Sequence, residues 1–132
     1  MAQGLYAREM TRQVYAHLAS CAEGALTGGY TAIVDATFAR HEDRAHFKRL
    51  ASHLGVELSL INCHAPMDLL RARVAQRHGA GRDASEADLA VLKWQATQRE
   101  PVREEEGLKT IEVDMSASEP TPGLADVVAR LG

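Results

Sequence analysis

Apolar residues recur every four positions from Tyr6 through Met10, Val14, Leu18 and Ala22 to Leu26, with Leu5, Ala19 and Ala25 widening the stripe. The spacing predicts one long amphipathic helix over residues 5–27, stopped by Gly28-Gly29. The pattern then changes to the β-branched, apolar run Tyr30-Thr31-Ala32-Ile33-Val34-Asp35-Ala36-Thr37-Phe38. It predicts a buried parallel strand from Tyr30 to Ala36 that delivers a carboxylate to its carboxyl end. Open α/β sheets bind ligands in the crevice at that end. The same string also fits an aspartate that only caps the next helix or closes the strand in a local turn, and both readings stay open at this level.

Beyond the strand, Phe47, Leu50, Ala51 and Leu54 stand at i, i+3, i+4 and i+7, so residues 41–54 read as a surface helix stopped by Gly55. Val56 to Cys63 reads as a second buried strand, and Pro66 and Asp68 open a helix that buries Leu69, Leu70 and Val74. A loop, Gly79 to Ala84, precedes the capping box Ser85-Glu86-Ala87-Asp88 and a helix to about Gln98 with Leu89, Leu92 and Ala96 inward. Trp94 reads as a packing anchor, and Glu104-Glu105-Glu106 as a solvated face. Leu108 to Asp114 reads as a half-exposed strand, and Leu124, Val127, Val128 and Leu131 as a closing helix. The alternation of strands and helices predicts an α/β fold, a three-stranded parallel sheet with flanking helices in one domain over residues 1–132.

Composition narrows the function more than the fold. The chain has 132 residues, 45% apolar and 25% charged, with a net charge of -3, and its bases are interleaved with acids. A nucleic acid duplex is therefore disfavoured as a partner. With no run of 18 or more apolar residues and no signal-type start, the chain reads as cytoplasmic and free of membrane. Cys21 and Cys63 show no CxxC spacing and read as reduced core residues. The six histidines show neither HxxxH nor HExxH spacing, which disfavours metal chemistry through them.

The arginines carry the candidate chemistry. Arg73 and Arg77, four residues apart, share a helical face toward the Gly79-Ala80-Gly81 loop, with Arg71 and Arg82 on either side. Such a cluster suits bidentate capture of phosphate oxygens. It also fits a solvated helix face whose arginine stems lie over apolar surface.

Taken in order, Val34-Asp35-Ala36-Thr37-Phe38, Arg44 and Phe47, Leu54-Gly55-Val56, Cys63-His64-Ala65-Pro66, Leu70-Arg71-Ala72-Arg73 with Arg77, Ser85-Glu86-Ala87-Asp88 and Arg99-Glu100-Pro101 resemble the later part of a P-loop kinase. The family is that of the small-molecule kinases of the AAA-33, zeta-toxin and polynucleotide-kinase-like type, often fused to aminoglycoside-phosphotransferase-like domains. The resemblance runs over essentially the whole chain. It implies an adenylate-kinase-like core and a nucleoside-triphosphate-dependent phosphotransferase acting on a small-molecule or nucleotide hydroxyl. On it, Asp35 is the catalytic acid beside Mg2+, Arg77 the arginine of a lid over about residues 79–101, and Thr37, Arg40 and Arg44 the acceptor contacts. Arg73, Arg82, Ser116 and Ser118 fall to the nucleotide.

One departure is large. No G-x-x-x-x-G-K-[ST] string occurs in the 132 residues. Gly28-Gly29-Tyr30-Thr31 has no lysine and follows a helix, so it does not replace that loop. The core therefore reads as missing its first strands, with ATP and Mg2+ bound weakly or not at all and no turnover by the chain alone. The alternative is a non-catalytic binding or regulatory module that pairs through an exposed sheet edge, with a second copy or an upstream partner segment completing the sheet.

Overall fold

A computed structural model describes residues 2–77, 86–116 and 127–131. The chain divides into two compact units, Met1–Leu58 with Glu100–Glu106, and Ser59–Arg99 with Gly107–Gly132.

The first unit opens on α1, Ala2–Thr27, and continues to α2, His41–Leu54. Both end in the same way. The amides of Gly29 and Tyr30 bond the carbonyls of Leu26 and Ala25, and those of Gly55 and Val56 bond Ser52 and Ala51. Gly29 and Gly55 take positive φ, 88° and 68°, which only glycine adopts without cost, and each hydrogen-bond pair closes a Schellman motif. The stripe of α1 is where the four-residue reading fails. Each step of four overshoots a helical turn by roughly 40°, so from Tyr6 to Leu26 the stripe winds about 200° around the helix. Tyr6, Met10 and Val14 are accordingly exposed, whereas Ala19 and Ala22 are buried. The seam that packs follows the true period through Tyr15, Leu18, Ala19 and Ala22 and meets Phe47, Leu50, Ala32, Val34 and Phe38. Phe47, 7% exposed, contributes about 1.5–3 kcal/mol through this burial.

The expected strand from Tyr30 to Ala36 needs correction. From Thr31 to Phe38 burial alternates outward and inward as in a strand, but no residue of it belongs to a ladder. Ala32 and Val34 reach the core, and the alternation that suggested a sheet is satisfied by helix packing on one face alone.

The second unit holds the sheet. β1, Ser59–His64, and β2, Lys109–Asp114, pair in parallel from Ser59↔Lys109 to His64↔Asp114. The fold is thus α/β with flanking helices, as expected, but its parallel sheet has two strands among the described residues, not three. β1 starts three residues later than its apolar string because the Val56 amide is already spent on the end of α2. In β2 the alternation is real: Ile111 and Val113 are buried with Val127, and their neighbours face out. α3, Met67–Arg77, and α4, Glu86–Gln98, follow β1, with residues 127–131 helical and a 3-10 turn at Glu104–Glu106 in the first unit. Val127 is buried and Val128 and Leu131 are exposed, while Leu124 lies outside the described residues.

Several side chains stand elsewhere than expected. Trp94 is 61% exposed and anchors no core. Cys21 and Cys63 are free, as expected, but exposed instead of buried. Among the described residues no helix is long and apolar enough to cross a membrane.

Candidate functional site

In the first unit the candidate residues lie along the turn from the unpaired segment into α2. Phe38 makes that turn at φ 43°, a conformation a bulky side chain rarely holds unless its surroundings impose it. Here they do. Its amide donates to the Tyr15 hydroxyl at 2.9 Å, its carbonyl accepts from Arg44 Nη1 at 2.7 Å, and its ring packs edge-on against Tyr15 and Phe47. The Tyr15 hydroxyl also lies 3.2 Å from Thr37 Oγ1. The Tyr15 hydroxyl thus accepts from Phe38 and shares with Thr37 a hydrogen bond in which either hydroxyl can donate. Asp35, two residues upstream, is exposed and has no hydrogen bond or ion pair among the described residues.

Arg44 was expected to contact an acceptor, and its surroundings give it a different occupation. It is 3% exposed. Nε and Nη2 grip the two carboxylate oxygens of Glu106 at 2.9 and 3.1 Å, and Nη2 lies 3.4 Å from the Pro101 carbonyl. The pair holds the Glu106 carboxyl below the ordinary carboxylate range, chiefly through the Arg44 hydrogen bonds. Lys48 reaches the Glu106 carbonyl, and the Arg103 amide donates to its side chain. Glu106 is therefore no solvated residue, in contrast to Glu104 and Glu105, which are exposed. Glu100 binds both the amide and the ring Nδ1 of His41, and these bonds lower its pKa. Arg40 makes only a loose pair with Glu42 at 3.7 Å.

A cavity of about 300 Å³ lies between α1 and α2, lined by Arg12, Tyr15, Ala16, Glu42, Asp43, His46 and Arg49. Asp43 has its pKa raised there, first by loss of water and then by Glu42.

In the second unit the chemistry gathers at the carboxyl end of the sheet. Arg73 Nη2 donates to the carbonyl of Met115, the residue after β2. Ser116 follows, and its bonds to Asp114 hold that carboxyl below its usual range. His64 ends β1 and lies 3.7 Å from Glu112. Arg77, at the end of α3, is exposed and makes no hydrogen bond or ion pair among the described residues. Arg82, Ser118 and the Gly79–Asp83 part of the expected lid lie outside the described residues. The bond to Met115 thus sets Arg73 at the carboxyl end of β2, one residue before Ser116. Arg77 does not share these surroundings.

Tyr15 and Glu106 escaped the sequence reading. Tyr15 sits inside a helical stripe where aromatics are ordinary core, and Glu106 sits in an acidic run where solvation is the default. The signal for Glu106 was its counterpart, a lone arginine on the apolar edge of α2.

These groups answer part of what Mg2+ and a nucleotide need. Asp35 is one free carboxylate, the share Mg2+ takes from a protein when phosphates and water fill its other positions. No group of three His, Cys, Asp or Glu side chains converges on a metal site among the described residues. The amides of Gly29, Tyr30, Gly55 and Val56 are consumed by helix ends, so neither glycine turn is a phosphate cradle. The described residues fit contacts to phosphate, not the anchoring of a nucleotide.

Comparison with protein families finds a match to the family AAA_33, described as an AAA domain, over residues 1–102. Among curated proteins none matches the chain.

Proposed function

The chain belongs to the AAA_33 family of AAA domains, a P-loop kinase-like family, and from that premise we propose that it is a phosphate-handling member that does not turn over ATP by itself. The observation that carries this reading is the family match, whose span includes Asp35, Thr37, Arg73 and Arg77. In the first unit, Asp35 is the carboxylate for Mg2+ and Thr37, oriented by Tyr15, a hydroxyl contact for an acceptor. In the second, Arg77 has a free guanidinium able to take a phosphate oxygen pair, and Arg73 is partly committed to Met115. A nucleoside triphosphate would bring the transferable phosphoryl group; the described residues supply no preorganised cradle for it. Each such charge-assisted hydrogen bond is worth on the order of 1.5–3 kcal/mol, so several missing ones leave weak affinity and no catalysis.

Calorimetric titration of the purified chain with Mg·ATP and with inorganic phosphate, beside an ATPase assay, tests this. Weak binding reduced by Arg77→Ala, with no turnover above background, is the expected result. Robust Mg2+-dependent transfer that Asp35→Asn abolishes would show an active kinase instead. Binding indifferent to Arg77→Ala would remove the lid arginine from the reading.

A further inference from the structure

α1 and α2 pack through Leu18, Ala19 and Ala22 against Phe47 and Leu50, but elsewhere their facing sides leave a cavity of about 300 Å³. Its walls are charged. Arg12 and Tyr15 stand on α1, and Glu42, Asp43, His46 and Arg49 on α2, each set at the spacing of one helical face. Charges of both signs therefore border one small space, and they do not neutralise one another. The side chains of Arg12, Arg49 and Asp43 make no hydrogen bond and no ion pair among the described residues, and Glu42 has only its loose pair with Arg40 at 3.7 Å. Arg12 thus stands across the cavity from two carboxylates and bonds neither, which leaves room for a molecule between them. Asp43 is half-buried, and its loss of water together with Glu42 outweighs the attraction of Arg40 and Arg44 and raises its pKa. It is a carboxylate short of cationic partners.

We propose that this cavity binds a small zwitterion, a molecule carrying an ammonium group and an oxyanion, with the ammonium at Asp43 and Glu42 and the oxyanion at Arg12 and Arg49. A simple anion would leave the two carboxylates unanswered, and a simple cation would leave the two guanidinium groups so; a ligand with both charges satisfies both walls. Size limits it further. A space of about 300 Å³ is at the lower end of small-molecule sites, which points to a ligand the size of an amino acid. Asp43 and Arg49 are six residues apart, about 9 Å along α2, and the long arginine stem shortens the span the ligand itself must cover. A guanidinium fork grips a carboxylate and a phosphate alike, so the oxyanion is one of these two. This inference is independent of the phosphate-handling reading, because Arg12, Asp43 and Arg49 are not among the residues assigned there.

Amide NMR of the full chain at low salt, titrated with β-alanine and with O-phosphoethanolamine, reads the site and tells a carboxylate from a phosphate. Propionate and ethylamine, each one half of the zwitterion, are the controls. The expected result is a set of saturable shifts at residues 12–16 and 42–49 with at least one zwitterion, while each half binds at least about tenfold more weakly, the least that one lost charge-assisted contact costs. Arg12→Gln and Asp43→Asn should each weaken binding by a similar factor with an unchanged circular dichroism spectrum. Arg71→Gln, at an exposed position of α3 in the second unit, should leave it unchanged. No shift at these residues up to about 50 mM of either zwitterion, a half that binds as well as the whole, or binding indifferent to both Arg12→Gln and Asp43→Asn would each overturn the proposal.

Discussion

Thr31–Thr37 and β1 begin from nearly the same kind of string, short, apolar and rich in β-branched or leucine side chains, and they end differently. β1 pairs with β2, fifty positions further on by its register of Ser59↔Lys109, while Thr31–Thr37 joins no ladder, its backbone is unpaired among the described residues, and it bends at Ala36. Side-chain alternation therefore decides the conformation of a segment and the face it buries. Whether it becomes part of a sheet depends on a second segment far away in sequence, which no local pattern encodes. The unpaired segment is instead held at its ends, by the Gly28-Gly29 turn on one side and by Tyr15 and Arg44 on the other.

Breaking one of those end clamps should have the largest effect. Arg44→Ala removes the bonds to Glu106 and to the Phe38 carbonyl and leaves a partly enclosed carboxylate unpaired, which costs about 3–5 kcal/mol. Urea unfolding of the purified variant measures it. A loss under about 1 kcal/mol would mean that the segment keeps its shape without the clamp. Next comes the paired region: Ile111→Ala, at a site 1% exposed, should cost about 2–4 kcal/mol, since the void it leaves lies between the strand and Val127.

The two strands of the sheet, their parallel direction and the Gly28-Gly29 and Gly55 helix stops were legible in the sequence, but the burial expected of Val56 to Cys63 was not met, since no residue of β1 is buried and Ile61 is exposed. Three further features were not legible. The four-residue stripe of α1 looked continuous but drifts off the packing seam, so Tyr6 and Met10 were credited with burial they do not have. The Tyr30 string carried every local mark of a strand except a partner. Glu106 looked like one of three equivalent glutamates until Arg44, 62 positions away, singled it out. At the candidate site, helical spacing placed Arg73 on a helix face, while its bond to the Met115 carbonyl, 42 positions away, was not legible. Nor was Tyr15 as the partner of Thr37, because that bond joins residues 22 apart in chain order.

A smaller effect should appear with pH. The Glu106 carboxyl is held below the ordinary carboxylate range, first by its hydrogen bonds to Arg44, so its contribution is complete above that range and is lost as pH falls through the lower folded pKa. Asp43 acts in the opposite sense. Burial raises its pKa above the ordinary aspartate range, and protonation as pH falls through that raised value favours the folded form. Stability, followed by circular dichroism through an acid titration, should therefore fall below about pH 4.5 in the native chain. Glu106→Gln should start from lower stability and lose less of it over the same interval. If both chains lost stability in parallel, the 100–106 clamp would not be what acid opens.

The smallest effect is the one that sharpens the comparison most. Ile33→Ala should change stability by less than about 0.5 kcal/mol, although isoleucine to alanine at Ile111 costs several times more. The reason is exposure: Ile33 is 90% accessible and has no apolar surface to lose contact with, whereas Ile111 is enclosed. The two substitutions delete the same atoms from two β-type segments of one molecule, so intrinsic strand propensity largely cancels and the difference reads tertiary environment. Matched urea midpoints and slopes for Ile33→Ala and the native chain are the expected observation. A loss of about 2 kcal/mol or more at Ile33 would mean that the segment is covered by its own chain in solution, and the contrast with β1 would then be one of degree rather than of kind.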